Sequence, residues 1–170
     1  LHAKPVLGVI APALGNTALI LGLSFCFSIL ISIPAGVIAA VRQYSRIDYI
    51  INLISFLAIS VPSFWLALIL ITIFSVIFGV LPAGGMESIG IDSVWDKAKF
   101  LVLPVATLTL LSLGSHTRFT RSEMIQTLRQ DFVLTARAKG ASEFRVVFRH
   151  ALRNAMIPVV TIIALDFGFL

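Results

Sequence analysis

The residues able to do chemistry fall into three groups. The first is a basic cluster around one glycine: Arg137, Lys139, Gly140 and Arg145, followed by Arg149 and Arg153. Such a cluster can meet nucleic acid, lipid headgroups or the acidic rim of a protein cleft. The second group is polar and set inside apolar runs: Ser60 and Ser63 flanking Val61-Pro62, then Thr107, Thr109 and Asp166. Hydroxyls and a lone acid in such places can line an aqueous path or bond to a neighbouring helix. The third group is His2, His116 and His150, too scattered along the chain for a metal site. Ser115-His116 has no acid beside it in an active-site pattern, and reads as a helix end exposed to headgroups. Neither GxxxxGK(S/T) nor HExxH occurs, so the chain is expected to be no enzyme: no ATP hydrolysis of its own and no zinc chemistry.

The elements that must position these groups are membrane helices. Of 170 residues, 58% are apolar and 12% charged, with mean hydropathy +1.02, where a soluble domain carries about 25% charged residues. Four apolar runs, near 17–41, 50–81, 100–117 and 155–170, predict transmembrane helices, so the fold class is an all-α polytopic bundle. In the first run Ser24, Ser28 and Ser32 recur every four residues. With Ala35, Gly36 and Ala39 they form a small-residue face suited to close helix packing, and Pro34 predicts a kink. In the second, Ser60-Val61-Pro62-Ser63 interrupts the backbone ladder. The segment Pro82–Lys99 is rich in turn formers, and Glu87, Asp92 and Asp96 outweigh Lys97 and Lys99. Cys26 is the only cysteine, which excludes an internal disulfide.

The net charge of +5 is distributed as the positive-inside rule expects. Residues 116–154 carry eight basic side chains against Glu123, Asp131 and Glu143, and Arg42–Tyr49 carries Arg42 and Arg46. Both segments are expected in the cytoplasm, with Pro82–Lys99 outside. The first span then enters from outside, so a complete chain with a cytoplasmic N-terminus needs one more span before Leu1. With no initiator Met, no signal-peptide pattern at its start and an apolar run at its end, the chain is expected to be truncated at both ends.

The expected cytoplasmic loop, 118–154, has internal order. Asp131 is a candidate N-cap for a helix over Phe132–Lys139, Gly140 suits a left-handed C′ position, and Ser142 can cap a second helix with Glu143 in its first turn. Phe144, Val147, Phe148, Ala151, Leu152, Ala155 and Met156 share one helical face, and Arg145, Arg149 and Arg153 share another. Three readings fit a basic helix–turn–helix. An interfacial helix on anionic lipid is one. A reader of DNA is a poor fit, because both ends are tethered into membrane spans, so no nucleic acid is expected. The third is a docking element: Ala138, Gly140, Ala141 and Ser142 present little bulk and can enter a cleft while Arg137, Lys139 and Arg145 meet acidic rims.

Here the sequence resembles the inner-membrane permease subunits of bacterial ATP-binding-cassette importers, and among them the dipeptide/oligopeptide/nickel permease family. The residues that carry the resemblance are Arg129-Gln130-Asp131-Phe132, Thr135–Gly140, Arg149–Ala155 with Ile157-Pro158, and, upstream, Ser60–Trp65 and Leu81–Gly85. The general motif of these permeases is Glu-Ala-Ala, three residues, Gly, nine residues, Ile-x-Leu-Pro. With Gly140 as its glycine, Ala136 and Leu152 match, while Leu134, Thr135, His150 and Arg153 depart from it. The resemblance implies a type I importer permease fold in a bacterial inner membrane, and import of short peptides, or alternatively of nickel or another small solute. A non-transporting scaffold with a lipid-binding loop is the alternative of another class. A secondary transporter is disfavoured by the shortage of intramembrane charges. The resemblance also implies three kinds of partner: separate ATPase subunits that hold ATP and Mg, a second homologous permease subunit, and an extracytoplasmic solute-binding protein. Membrane lipids surround the spans. ATPase coupling would fall to Thr135, Ala136, Arg137, Ala138, Lys139, Gly140, Ala141, Ser142, Phe144 and Arg145, and the translocation path to Ser60, Pro62, Ser63, Thr107 and Asp166.

Overall fold

The computed structural model describes residues 6–88, 90 and 93–169; His2 and Asp92 lie outside them. Helix α1 spans Val6–Val41, α2 Arg46–Ser60 and α3 Ser63–Ile71, which continues as a π-helical segment over Thr72–Ile77. Helix α4 spans Val94–Leu128 and α5 Asp131–Ala138. The short α6, Glu143–Arg145, runs through a π-helical segment, Val146–Ala151, into α7, Leu152–Phe169. The described residues contain no strand, as an all-α chain requires. Three stretches are long and apolar enough to cross a membrane: Ala13–Val41, Val94–Leu128 and Glu143–Gly168. A fourth is added if α2 and α3 form one broken span.

The helix ends differ from those read off hydropathy. Helix α1 starts before residue 17 and passes through Pro34 without interruption. The run expected over 50–81 is two helices that part at Val61-Pro62, where the Pro62 carbonyl accepts from Trp65 and Leu66 N–H and starts a new ladder. Helix α4 begins within the expected outer loop and ends well beyond residue 117. At 1.5 Å per residue its 35 residues are about 52 Å long, more than a hydrocarbon core of about 30 Å can hold. Residues 118–128, expected in a loop, therefore continue α4 past the hydrocarbon. Hydropathy marks where a helix leaves lipid, not where it ends.

Contacts divide the chain into two compact units. The first combines Leu1–Phe27 with Val61–Thr109. In it the Thr109 hydroxyl donates to the Ser24 carbonyl at 3.2 Å. The acidic segment is closed by Asp96, which accepts from the Ser88 N–H at 2.6 Å and its hydroxyl at 2.9 Å.

The second unit combines Ser28–Ser60 with Leu110–Leu170. Its core joins α1 (Val37, Ala40), α4 (Met124), α5 (Val133, Ala136) and the α6–α7 segment (Val146, Val147, Ala151, Ala155). The polarity of its helices is inverted relative to a water-soluble protein. Helix α2 buries Asp48 and Ser55 and exposes Ile50, Leu53, Ile54, Phe56 and Leu57. Ser28, Ser32, His116, Thr117 and Thr120 are likewise buried. Helices with polar insides and apolar outsides are stable where the solvent is lipid, and small residues then let backbones approach. The serine face of α1 does this as expected: a Cβ on Gly36 would lie 2.7 Å from the Thr120 Cβ and 2.9 Å from the Thr117 carbonyl oxygen of α4.

Gly114 makes the matching approach to α2, where an added Cβ would lie 2.5 Å from the Ser55 carbonyl oxygen and 2.8 Å from Ile59 Cγ1. Gly114→Ala is expected to destabilise the protein by about 1–3 kcal/mol through overpacking. Gly22→Ala, which meets nothing within 4 Å, should be neutral or slightly stabilising. Thermal unfolding of the detergent-solubilised protein checks this, and equal midpoints for the two variants would contradict the close contact.

Candidate functional site

The glycine turn is built by its own backbone. Helix α5 ends at Ala138, and Gly140 takes φ 79°, a left-handed conformation that strains any residue with a Cβ. The Gly140 N–H donates to the Arg137 carbonyl at 2.9 Å and the Ala141 N–H to the Ala136 carbonyl at 3.1 Å. This is the paired arrangement of a Schellman end, which uses two carbonyls that a helix terminus otherwise leaves free. The sequence reading of Gly140 as C′ is thus correct. That of Asp131 as N-cap is off by one: Gln130 occupies the cap with extended backbone, and Asp131 is the first helical residue, its charge facing the positive helix end.

Helix α5 is anchored on one side only. Val133 and Ala136 are buried in the core, while Phe132, Leu134, Thr135 and the run Arg137–Gly140 are exposed. Phe132, Thr135, Lys139, Gly140, Arg145 and His150 border a shallow concavity of about 330 Å³. Arg137 bridges the turn: its Nε and Nη2 donate to the two oxygens of Glu143 at 2.9 and 3.1 Å. Both side chains are exposed, so the pair contributes at most about 1 kcal/mol, but it holds the two arms of the turn together. Ser142 stands at the N-cap of α6 as expected, without a side-chain cap bond.

The apolar face expected after the turn is only partly buried. Val147, Ala151 and Ala155 enter the core together with Val146, which the helical pattern did not select, while Phe144 and Phe148 are exposed. The π-helical segment Val146–Ala151 explains the change. Its wider turn shifts the register by part of a residue, admitting Val146 and turning Phe148 outward. The two displaced rings pack on each other with centroids 4.6 Å apart.

Two polar clusters in the second unit were not legible in the sequence. In the first, Arg121 of α4 reaches Asp48 of α2, with Nε–Oδ1 2.6 Å and Nη2–Oδ2 2.7 Å. The carboxylate also accepts from the Tyr44 N–H at 2.9 Å and Asn52 Nδ2 at 2.6 Å. Tyr44 is the one non-glycine residue with positive φ among the described residues, so Asp48 also holds the strained α1–α2 turn. In the second, His116 is buried rather than exposed to headgroups, and it does have an acid. Nε2 lies 3.0 Å from Asp166 Oδ2 and Nδ1 lies 3.0 Å from Ser28 Oγ. A carboxylate can only accept, so Nε2–H donates to it, and in the neutral ring Nδ1 accepts from the Ser28 hydroxyl. The residue types are those of a hydrolytic triad, but Ser28 has no exposed surface and sits on the ring nitrogen opposite to a nucleophile's. The arrangement ties α1, α4 and α7 together; it does not present a nucleophile.

The residues expected along a path are differently disposed. In the first unit, Pro62 and Ser63 are exposed, whereas Thr107 and Thr109 are buried with their hydroxyls donated to the Leu103 and Ser24 carbonyls. In the second, Ser60 is exposed and donates to the Phe56 carbonyl, and Asp166 keeps 47% of its side chain accessible beyond its contact with His116.

Residues 32–170 match the family described as binding-protein-dependent transport system inner membrane component. The chain belongs to that family. It is 44% identical over 162 residues to the oligopeptide transport system permease protein AppB of Bacillus subtilis (strain 168), which covers 95% of this chain and 51% of AppB. It is 34% identical over 184 residues to the dipeptide transport system permease protein DppB of Alkalihalophilus pseudofirmus, covering 97% of this chain and 55% of DppB. The chain thus spans about half the length of these curated relatives. As an inner membrane component it is a multi-pass chain, in agreement with its apolar helices.

In an inner membrane component whose glycine turn rests on α1, α4 and α7, the Asp48–Arg121 pair adds α2 to the same body. Removing one partner of a buried pair leaves the other uncompensated, so Asp48→Ala is expected to destabilise by about 3 kcal/mol or more. Asp48→Ala/Arg121→Ala should lose much less than the two single variants added together. Strictly additive losses in detergent unfolding would show that the pair is not coupled.

Proposed function

We propose that this chain is the membrane-spanning part of a permease subunit that imports short peptides across a bacterial inner membrane, driven by ATP and Mg bound to separate ATPase subunits. The observation that carries the reading is the turn at Gly140: an exposed, small-residue tip on a helix whose opposite side is sunk in the unit's core. A push on that tip is delivered to α1, α4 and α7 rather than absorbed by a flexible loop. Thr135, Ala138, Lys139, Gly140, Ala141, Ser142, Phe144 and Arg145 form the docking surface in this reading. Ala136 seats it, and Arg137, through Glu143, keeps it in shape. A second homologous permease subunit and an extracytoplasmic solute-binding protein complete the transporter. The names of the relatives AppB and DppB, oligopeptide and dipeptide permeases, support peptides as the solute.

The path is expected to use Asp166, with Ser60, Pro62 and Ser63 exposed and available and Thr107 contributing mainly to packing. An acidic side chain cannot face lipid cheaply, so the accessible half of Asp166 belongs against water or protein.

Uptake tests the function. In cells lacking this subunit, restoring the intact protein should restore accumulation of labelled dipeptides and longer peptides, and not of nickel. Recovery of nickel uptake alone would overturn the peptide assignment. For coupling, Gly140→Trp is informative beside Gly140→Ala: both carry the strain of the left-handed backbone, an added Cβ meets nothing within 4 Å, and only the Trp ring adds bulk that a cleft would refuse. Loss of ATPase co-purification and at least a tenfold fall in uptake are expected at unchanged membrane abundance. Intact ATPase binding and transport would sink the coupling role. Asp166→Asn should reduce transport without reducing insertion, and equal loss of both counts against a place on the path.

A further inference from the structure

Two arginines beyond the glycine turn, Arg149 and Arg153, have no task in this scheme. With Arg145 of the docking surface they recur every four residues along the α6–α7 segment and border one concavity. All three are exposed, and among the described residues none has a side-chain hydrogen bond or ion pair. The nearest acid in sequence, Glu143, is already held by Arg137. With Ser142, Phe144 and Phe148 the arginines line an open concavity of about 560 Å³. Across the stacked Phe144–Phe148 pair lies a second groove of about 580 Å³, walled by Ile38, Val41, Ile47 and Val147. The two concavities share both rings, so a strongly basic surface and an apolar trough meet along one edge.

Their depth in the membrane follows from the chain. Beyond Arg153 the helix becomes the apolar span Ala155–Leu165, and Arg42 caps the other wall of the trough where α1 ends. Guanidinium groups within about two turns of an apolar span, as Arg149 and Arg153 are, lie at headgroup level with their stems along the apolar surface. A protein carboxylate needs only the arginines. A molecule with a phosphate and a long hydrocarbon tail uses both halves of the surface.

We propose that this surface binds an anionic phospholipid of the cytoplasmic leaflet, its phosphate on Arg149 and Arg153 and an acyl chain along Phe148, Ile38 and Val41. Guanidinium matches phosphate bidentately. Arg145 also borders the concavity at Gly140 and so stands where lipid and docking surface adjoin. The lipid wedges the π-helical segment against α1, and thereby steadies the base from which the glycine turn projects. The proposal does not depend on which solute is transported.

The test is native mass spectrometry of the detergent-solubilised intact protein with phosphatidylglycerol or phosphatidylcholine added. Preferential retention of phosphatidylglycerol is expected, weakened about 30-fold by Arg149→Gln/Arg153→Gln, from about fivefold for each basic residue near the surface. Phe148→Ser should weaken both lipids. If the glutamine pair fails to insert, a salt titration of the unmodified protein serves instead, where retention should fall steeply as salt rises. Equal retention of the two lipids, or binding indifferent to salt, overturns the proposal. So does a double variant that keeps phosphatidylglycerol but loses its ATPase, which would assign the row to an acidic protein surface.

Discussion

A carboxylate removed from water must be surrounded by donors, and the second unit is arranged around one that is. Asp48 is almost fully buried, and it accepts from both arms of the Arg121 guanidinium, the Tyr44 amide and the Asn52 side chain. These contacts fix three things at once. They set the register of α2 against α4, they keep Tyr44 in a left-handed turn that would otherwise be strained, and they hold the end of α1 beside the start of α2. The close approach of Gly114 to the Ser55 carbonyl is possible only with that register. Each of these features is intolerant of sliding, because a shift of one residue would strand a charge or drive a carbonyl into a side chain.

The same logic appears again nearer Asp166. His116 uses both ring nitrogens, one on Ser28 and one on Asp166, so that three helices share a single polar node. In lipid, apolar side chains have no preference for one another over acyl chains. Specificity of helix packing therefore rests on a few polar nodes and on small residues that admit close contact. Asp48–Arg121, Ser28–His116–Asp166 and the Gly36 contact with Thr120 are the nodes of this unit.

The turn at Gly140 gains its character from what lies under it. Its backbone geometry is local, but Val133 and Ala136 bind it to the ends of α1, α4 and α7. That makes it a rigid projection of a membrane body and not a flexible loop. The π-helical segment beside it has a second consequence. By turning Phe148 outward onto the exposed Phe144 it opens a trough next to an arginine row, so that one departure from regular helix contributes both to the partly unburied aromatic face and to a surface fit for lipid.

Much of this was legible without coordinates. The apolar runs, the inverted charge balance of the loops, the small-residue face of α1 and the left-handed Gly140 are consequences of composition and short spacing, and physics acts on them locally. Helix lengths were less legible, since α4 outruns the bilayer and hydropathy reports the solvent rather than the backbone. Which groups pair in the polar nodes was not legible at all. His116 and Asp166 are fifty residues apart, and Arg121 and Asp48 seventy-three, and no periodic pattern links them; Arg121 looked like one more basic loop residue. The sequence by itself determined that this chain crosses a membrane and where its turn must bend. Only tertiary structure decided which buried charges neutralise each other, because a polar group in lipid is satisfied by whichever donor the packing brings, and that is a property of distance in space rather than along the chain.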